Sequence, residues 1–347
     1  MILTAAFLFD LESNMRVITE NTYTSLSRDQ WVDKVAKEFP SMSKKERIIW
    51  LLETGFLEYG VEGQAQFREM GTVTTEYENK FISGSGLKML RSQLEDLDGG
   101  GIQAAAAWSR TMGALAANFK QQEVAKVIND PTLSGTEAGT AYDGVTFFHA
   151  NAGGTTGHPI DPTDTSKGRF ANLFTGAASA NNAGACPISG NTVEAAQQNL
   201  TLALSYIQNI KQPNGVNPRK LQAKYLFVPT ALYSRALLVT GAKFVATGDG
   251  SLDVSNYIDQ FGLEVVKCPE LGANFGGSDS VYYIGCVDEG GQLGGLSYVN
   301  REPFSITYHG PQTDAQLASK REFEWLPQGR STVGLGHPYL LFKVAAT

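Results

Sequence analysis

The chain has 347 residues, enough to bury one large hydrophobic core or two smaller ones. Its 42% hydrophobic and 18% charged residues, the latter below the roughly 25% usual for globular proteins, together with 37 glycines, indicate a folded protein with long loops and surface that neighbours could cover. The net charge of −7 has no basic face or tail to set against it, the longest basic cluster being Lys44, Lys45 and Arg47, which excludes a protein built to grip nucleic acid through phosphates.

The first nine residues are apolar. They lack a preceding basic region and are cut short by Asp10 and Glu12, so they suit neither a membrane span nor a secretory signal. They are expected to form a sticky N-terminal arm. Two capping boxes follow. Ser27 with Gln30, ahead of Trp31, Val35 and Phe39, predicts a helix stopped at Pro40. Ser43 with Glu46, ahead of Ile48, Ile49, Trp50 and Leu52, predicts a second ending at Gly55. From Gln66 to Ser83 the period changes to two. Val73, Thr75, Tyr77, Asn79 and Phe81 fall on one face, with Thr72, Thr74, Glu76, Glu78 and Lys80 on the other, as in a long hairpin exposed on one side.

After the turn at residues 94–98 and three glycines, Trp108, Met112, Leu115 and Phe119 recur at helical spacing, continued by Val124, Val127 and Ile128. At 1.5 Å per residue this helix would span roughly 40 Å, long enough for a structural spine. From Pro131 to Asn191 only six residues are charged and ten are glycine. Extended segments lying over the fold are expected there, anchored at Val145–Phe148 and Phe170–Phe174. Beyond Asn191 the pattern gives an amphipathic helix through Val193, Leu200, Leu204 and Ile207, an apolar strand at Tyr225–Val228, and a helix from Pro229 to Val239. Further strands are expected at Leu263–Val266, Val281–Ile284, Phe304–Tyr308 and Tyr339–Phe342. Helices and strands alternate without regular βαβ spacing, which points to an α+β fold.

Chemistry is sparse. His149, His158, His309 and His337 have no partner at metal-ligand spacing, and there is no GxSxG elbow or phosphate-binding GxxxxGK[ST] loop. Cys186, Cys268 and Cys286 are odd in number and widely spaced, which fits a reducing compartment and not a disulfide framework. No cofactor or metal is expected. Asp143 and His149 could form a catalytic acid–base pair, and a hydrolase using them is the enzymatic alternative; neighbours of this kind arise readily by chance in turn-rich sequence.

Taken in order, several local patterns resemble the Mu-like phage major head subunit family, gpT. Trp31 and Ala36 lead through Ser41 and Ser43 to Trp50-Leu51; Tyr77, Asn79 and Lys80 precede Leu94-Glu95-Asp96 and the long helix. The segment Tyr142-Asp143-Gly144-Val145-Thr146-Phe147-Phe148-His149 follows it. Downstream come Leu226-Phe227-Val228-Pro229 with Ala231-Leu232, then Glu322-Phe323-Glu324, Gln328-Gly329-Arg330 and Gly334-Leu335-Gly336. The resemblance covers about residues 20–343. It departs in a longer glycine- and threonine-rich region from Gly153 to Ala185, and in His337-Pro338 where the family has an aromatic.

The resemblance implies the Hong Kong 97-type phage capsid fold and a non-enzymatic major capsid protein of a tailed bacteriophage. It assigns an N-terminal arm to residues 1–56, an extended loop (E-loop) hairpin to 57–93, a peripheral (P) domain with the spine helix to 94–190, an axial (A) domain to 191–308, and a return to the P domain over 309–347. The implied partners are further copies of the chain in hexamers and pentamers, a separate scaffold protein, a portal and a decoration protein. The icosahedral head would form in the host cytoplasm and enclose double-stranded DNA without gripping it, and no membrane is involved. Within the E-loop, Tyr77 and Phe81 are candidate inter-subunit anchors, with Glu76, Glu78 and Lys80 available for rim pairs. An encapsulin-like compartment would share the fold; a β-rich tail or adhesion protein is disfavoured by the long helix.

Overall fold

The computed structural model describes residues 4–28, 30–51, 72–95, 100–130, 139–151, 154–189, 192–213, 215–241, 244–245, 254–255, 258–287, 294–311, 313, 316 and 321–345. Helix α1 (Ala5–Leu26) leads through a 3-10 turn (Trp31–Lys34) to strands β1 (Ala36–Pro40), β2 (Lys45–Leu51), β3 (Thr72–Glu78), β4 (Lys80–Ser83) and β5 (Leu87–Leu90). The short α2 (Arg91–Glu95) precedes the 29-residue α3 (Gly101–Asn129). Then come β6 (His158–Pro159), β7 (Arg169–Phe170), β8 (Leu173–Phe174), α4 (Val193–Gln208), β9 (Gln222–Val228) and α5 (Thr230–Gly241). The chain continues with β10 (Phe244–Val245), β11 (Val254–Ser255), β12 (Glu264–Lys267), β13 (Tyr282–Val287), β14 (Leu296–His309), β15 (Glu322–Leu335) and β16 (Leu341–Val344).

The apolar start forms helix α1. The Thr4 hydroxyl accepts the Phe7 N–H to cap α1, and Leu8, Leu11, Met15 and Thr19 recur every three or four residues to form its buried stripe. That stripe lies on α3. A Cβ at Gly113 would sit 2.7 Å from the Thr19 carbonyl oxygen, so this glycine permits the close approach. The same closeness explains the spine's buried face, which is built from Ala105, Ser109, Met112, Gly113, Ala116 and Ala117, whereas Leu115 of the expected stripe is 52% exposed.

Neither capping-box helix forms. Ser27 caps the end of α1, and the Gln30 amide donates to the carbonyls of Leu26 and Ala117. Past the 3-10 turn the chain extends as β1, pairing in parallel with β14. In the second case Ser43 Oγ does donate to Glu46, at 2.8 Å, but at the foot of a β ribbon. Lys45–Leu51 pairs antiparallel with Thr72–Glu78, and the availability of that partner decides the outcome over local helix propensity. Residues 52–71, including the expected E-loop up to residue 71, lie outside the described residues, as does the acidic turn beyond Glu95.

One sheet runs β1-β14-β15-β4, with β5 also on β15; a second runs β12-β9-β13-β16-β8. Three cores follow from them. The first packs α4 and α5 on one face of the second sheet, around Leu200, Leu204, Leu226, Ile284 and Phe342. The opposite face carries Tyr225, Phe227 and Tyr283 against Trp31, Val124, Ile128, Phe147 and Phe148. The third joins α1 and the first half of α3 to the first sheet through Leu8, Met15, Met89, Met112, Phe323 and Trp325. The anchors expected in the glycine-rich segment are buried there: Phe147, Phe148, Phe170 and Phe174.

Candidate assembly surfaces

The period-two segment leaves the body on a polar hinge. Asn79 is buried; its N–H donates to the Lys44 carbonyl and its side-chain amide to Ser41 Oγ (3.0 Å) and the Ser43 carbonyl (2.9 Å). Both serine hydroxyls donate to Glu46, which holds that carboxyl below the usual carboxylate range. Tyr77 turns inward. Its hydroxyl donates to the Leu335 carbonyl at 3.1 Å and accepts the Leu335 N–H at 3.0 Å, pinning β3 to the end of β15. Burial pushes its phenol pKa up. Gly334 makes room, since a Cβ there would lie 2.8 Å from the Tyr77 ring.

Asn79 also breaks the alternation. Residues 75–79 keep the expected in-and-out order, but Phe81 does not share the face of Tyr77: it is 68% exposed, and Ile82 takes the inner place. The Arg330 guanidinium lies over the Phe81 ring at 3.5 Å, and its Nε stands 3.5 Å from the Glu302 carboxylate. Glu76 is bonded to Arg47 across the ribbon, Nε at 3.0 Å, which lowers its carboxyl pKa. Glu78 faces Lys44 at 3.2 Å, and Lys80 is exposed on the strand that pairs with β15. The five candidates thus divide. Tyr77 is tied to its own chain, Glu76 and Glu78 have intrachain partners, and Lys80 and Phe81 face outward.

Arg330 is the surface residue that sequence reasoning did not single out. It stood within the Gln328-Gly329-Arg330 pattern, and no strand was expected over the 14 residues of β15. Pro327 falls opposite the gap between β4 and β5, where β15 needs no donor.

A cavity of about 410 Å³ is lined by residues of α1, α3, β1, β4, β14 and β15, among them Tyr23, Glu38, Lys120, Tyr298 and Asn300. Buried Lys120 donates to Asp33 (2.7 Å) and Glu38 (2.9 Å). Burial works to lower the lysine pKa, but the two carboxylate hydrogen bonds outweigh it and the net shift is upward.

Asp143 does not pair with His149. Its Oδ2 meets His158 Nδ1 at 2.7 Å, while Oδ1 accepts the Val145 N–H. His158 Nε2 faces the Phe147 carbonyl at 3.0 Å, so no position on the ring is left for a nucleophile. His149 Nδ1 accepts the Asn151 N–H, and burial, then His158 and Arg169, lower its pKa. The cluster holds the glycine-rich segment in place. The cysteines are buried as well, with the Cys186 thiol pushed up to about 11. Among the described residues no cluster of His, Cys, Asp or Glu could hold a metal, and no helix is long and apolar enough to cross a membrane.

Residues 93–323, about two-thirds of the chain, match the family described as phage capsid protein. A comparison with curated proteins finds no match by sequence. Among solved structures the fold resembles the capsid of the cyanophage P-SCSP1u, with 12% identity over 90% of this chain and 86% of that one and a TM-score of 0.50. The capsid of Myoviridae phage XM1 (11% identity, 91% of each chain, TM-score 0.49) and the virus-like particle from Pyrococcus furiosus (10%, 96% and 98%, 0.47) are also similar. The fold is the α+β Hong Kong 97-type, with α3 as its long helix beside two sheets. The chain belongs to the phage capsid protein family and is a capsid shell protein.

Proposed function

We propose that the chain is the major capsid protein of a tailed bacteriophage, of the Mu-like gpT type, forming hexamers and pentamers that build an icosahedral head around double-stranded DNA. The observation that carries this is the family match over residues 93–323, which spans the long helix, four of the five strands of the second sheet and β14 of the first. In this reading residues 1–56 form the N-terminal region, 57–93 the E-loop, 94–190 and 309–347 the P domain, and 191–308 the A domain. Assembly takes place in the host cytoplasm with a separate scaffold, a portal and a decoration protein. The net charge of −7 suits a wall that contains DNA without binding it tightly. Phe81 under Arg330, with Lys80 beside it, offers a neighbouring subunit an aromatic anchor and a cationic rim.

Negative-stain electron microscopy with sedimentation tests the reading on protein expressed alone and with a neighbouring scaffold gene. Closed shells, tubes or rings of five or six copies are expected, and a monomer under every condition would overturn it. Shells that carry an enzyme and no DNA when purified from infected cells would move the assignment to a cargo compartment.

A further inference from the structure

The second sheet ends in β8 on one side and β12 on the other. Beside β8, a cavity of about 480 Å³ is bounded by the turn before β7, residues 178–183 and the last half of α4. Lys167, Arg169 and Lys211 line it, and no carboxylate does. Lys167 and Lys211 are exposed and make no ion pair with any described residue. Arg169 is fixed by donating to the Gly157 carbonyl at 2.7 Å. Asp164 stands near Lys167 but accepts hydrogen bonds from the Ser166 amide and hydroxyl, at 3.0 and 2.6 Å. Leu202 in the same lining is 53% exposed.

At the β12 end, the strand itself carries Glu264 and Lys267, and the 3-10 turn Ile258–Phe261 before it carries Asp259. Asp259 lies exposed, without an ion pair to any described residue. Phe261, on the same turn, is 38% exposed. Glu264, the first residue of β12, is bonded to Lys34 and stays half exposed.

We infer that the basic cavity beside β8 of one copy receives the Asp259 turn of a second copy, with Leu202 and Phe261 as the apolar centre of the contact. Two different surfaces at opposite ends of one sheet make a head-to-tail contact, the kind that repeats around a ring when the rotation closes. Exposed charges of this sort fix register and steer encounter, so the contact weakens as salt rises. The inference rests on the shell-building reading and names the surfaces that reading needs.

A charge exchange tests it, read as the yield of rings and shells by sedimentation and negative-stain microscopy, with circular dichroism to confirm folded subunits. Reversing the cavity (Lys167→Glu with Lys211→Glu) or the turn (Asp259→Lys) should each lower the yield roughly tenfold, because like charges then face each other. The chain carrying all three substitutions should recover it, since opposite charges meet again. Wild-type yield from either reversal, or a folded triple variant that fails to recover, would overturn the contact; the second result, accompanied by lost DNA retention, would mark the cavity as a phosphate site. A wild-type chain that never assembles would overturn the shell reading and this contact with it.

Discussion

Both ring nitrogens of His158 end on acceptors of the same chain, Asp143 and the Phe147 carbonyl, and both members of the Asp143–His158 pair are buried. Removing one partner of a buried pair strands the other, so His158→Ala should cost about 3–5 kcal/mol in a denaturant unfolding series. His149→Ala, at a half-buried ring, should cost no more than about 1 kcal/mol. The pair was not legible because Asp143 and His149 are close in sequence, whereas His158 reaches Asp143 only after the intervening glycines fold back. Lys343 is a second residue of this kind. It is largely buried over the Phe148 ring, without an ion pair among the described residues, and burial lowers its pKa from the usual 10.5. The unfolded chain therefore holds this proton more tightly, and the stability contributed by this site rises with pH between the folded value and 10.5. Lys343→Met should remove that alkaline rise and stabilise the fold at neutral pH, as read by unfolding across pH.

At the scale of elements, the Lys120 network joins α3, the 3-10 turn and β1. Its members are unequal, since Asp33 and Glu38 reach water and Lys120 does not. Asp33→Asn with Glu38→Gln leaves a buried ammonium without its counter-charges and should cost about 3–5 kcal/mol. Lys120→Met leaves two carboxylates that solvent can serve and should cost clearly less. The network's raised lysine pKa contributes stability below about 10.5 that is lost as pH climbs through the folded value. Glu38, whose pKa is lowered by its bonds to Lys120 and Asn300 against the opposing effect of burial, contributes above about 4.5, with loss as pH falls. Tyr77→Phe should loosen β3 from β15 by about 0.5–1.5 kcal/mol for each of two hydrogen bonds, measurable by thermal unfolding. Elements with strong internal periodicity, α3, α4, β9 and α5, could be read from the sequence. The region of β1 and β2 could not, because the Ser43–Glu46 spacing serves a helix cap and a ribbon foot equally, and the deciding strands β3 and β14 lie far along the chain.

At the scale of the whole molecule, the composition identified a folded protein, and the long helix was legible as a spine. The sheet order was not, because it is set by long-range pairing. Residues 322–344 sit at the heart of both sheets: β15 lies between β14 and the β4–β5 edge, and β16 lies between β13 and β8. Substituting Gly334→Val should therefore damage both the sheet and the Tyr77 latch, and we expect insoluble protein or a sharply lowered melting temperature.

This late placement of the central strands also bears on biosynthesis. Neither sheet can close while residues 322–344 are still inside the ribosome, so a subunit under translation presents an incomplete template to its neighbours. Contacts between subunits that rest on either sheet would then wait until β15 and β16 have paired.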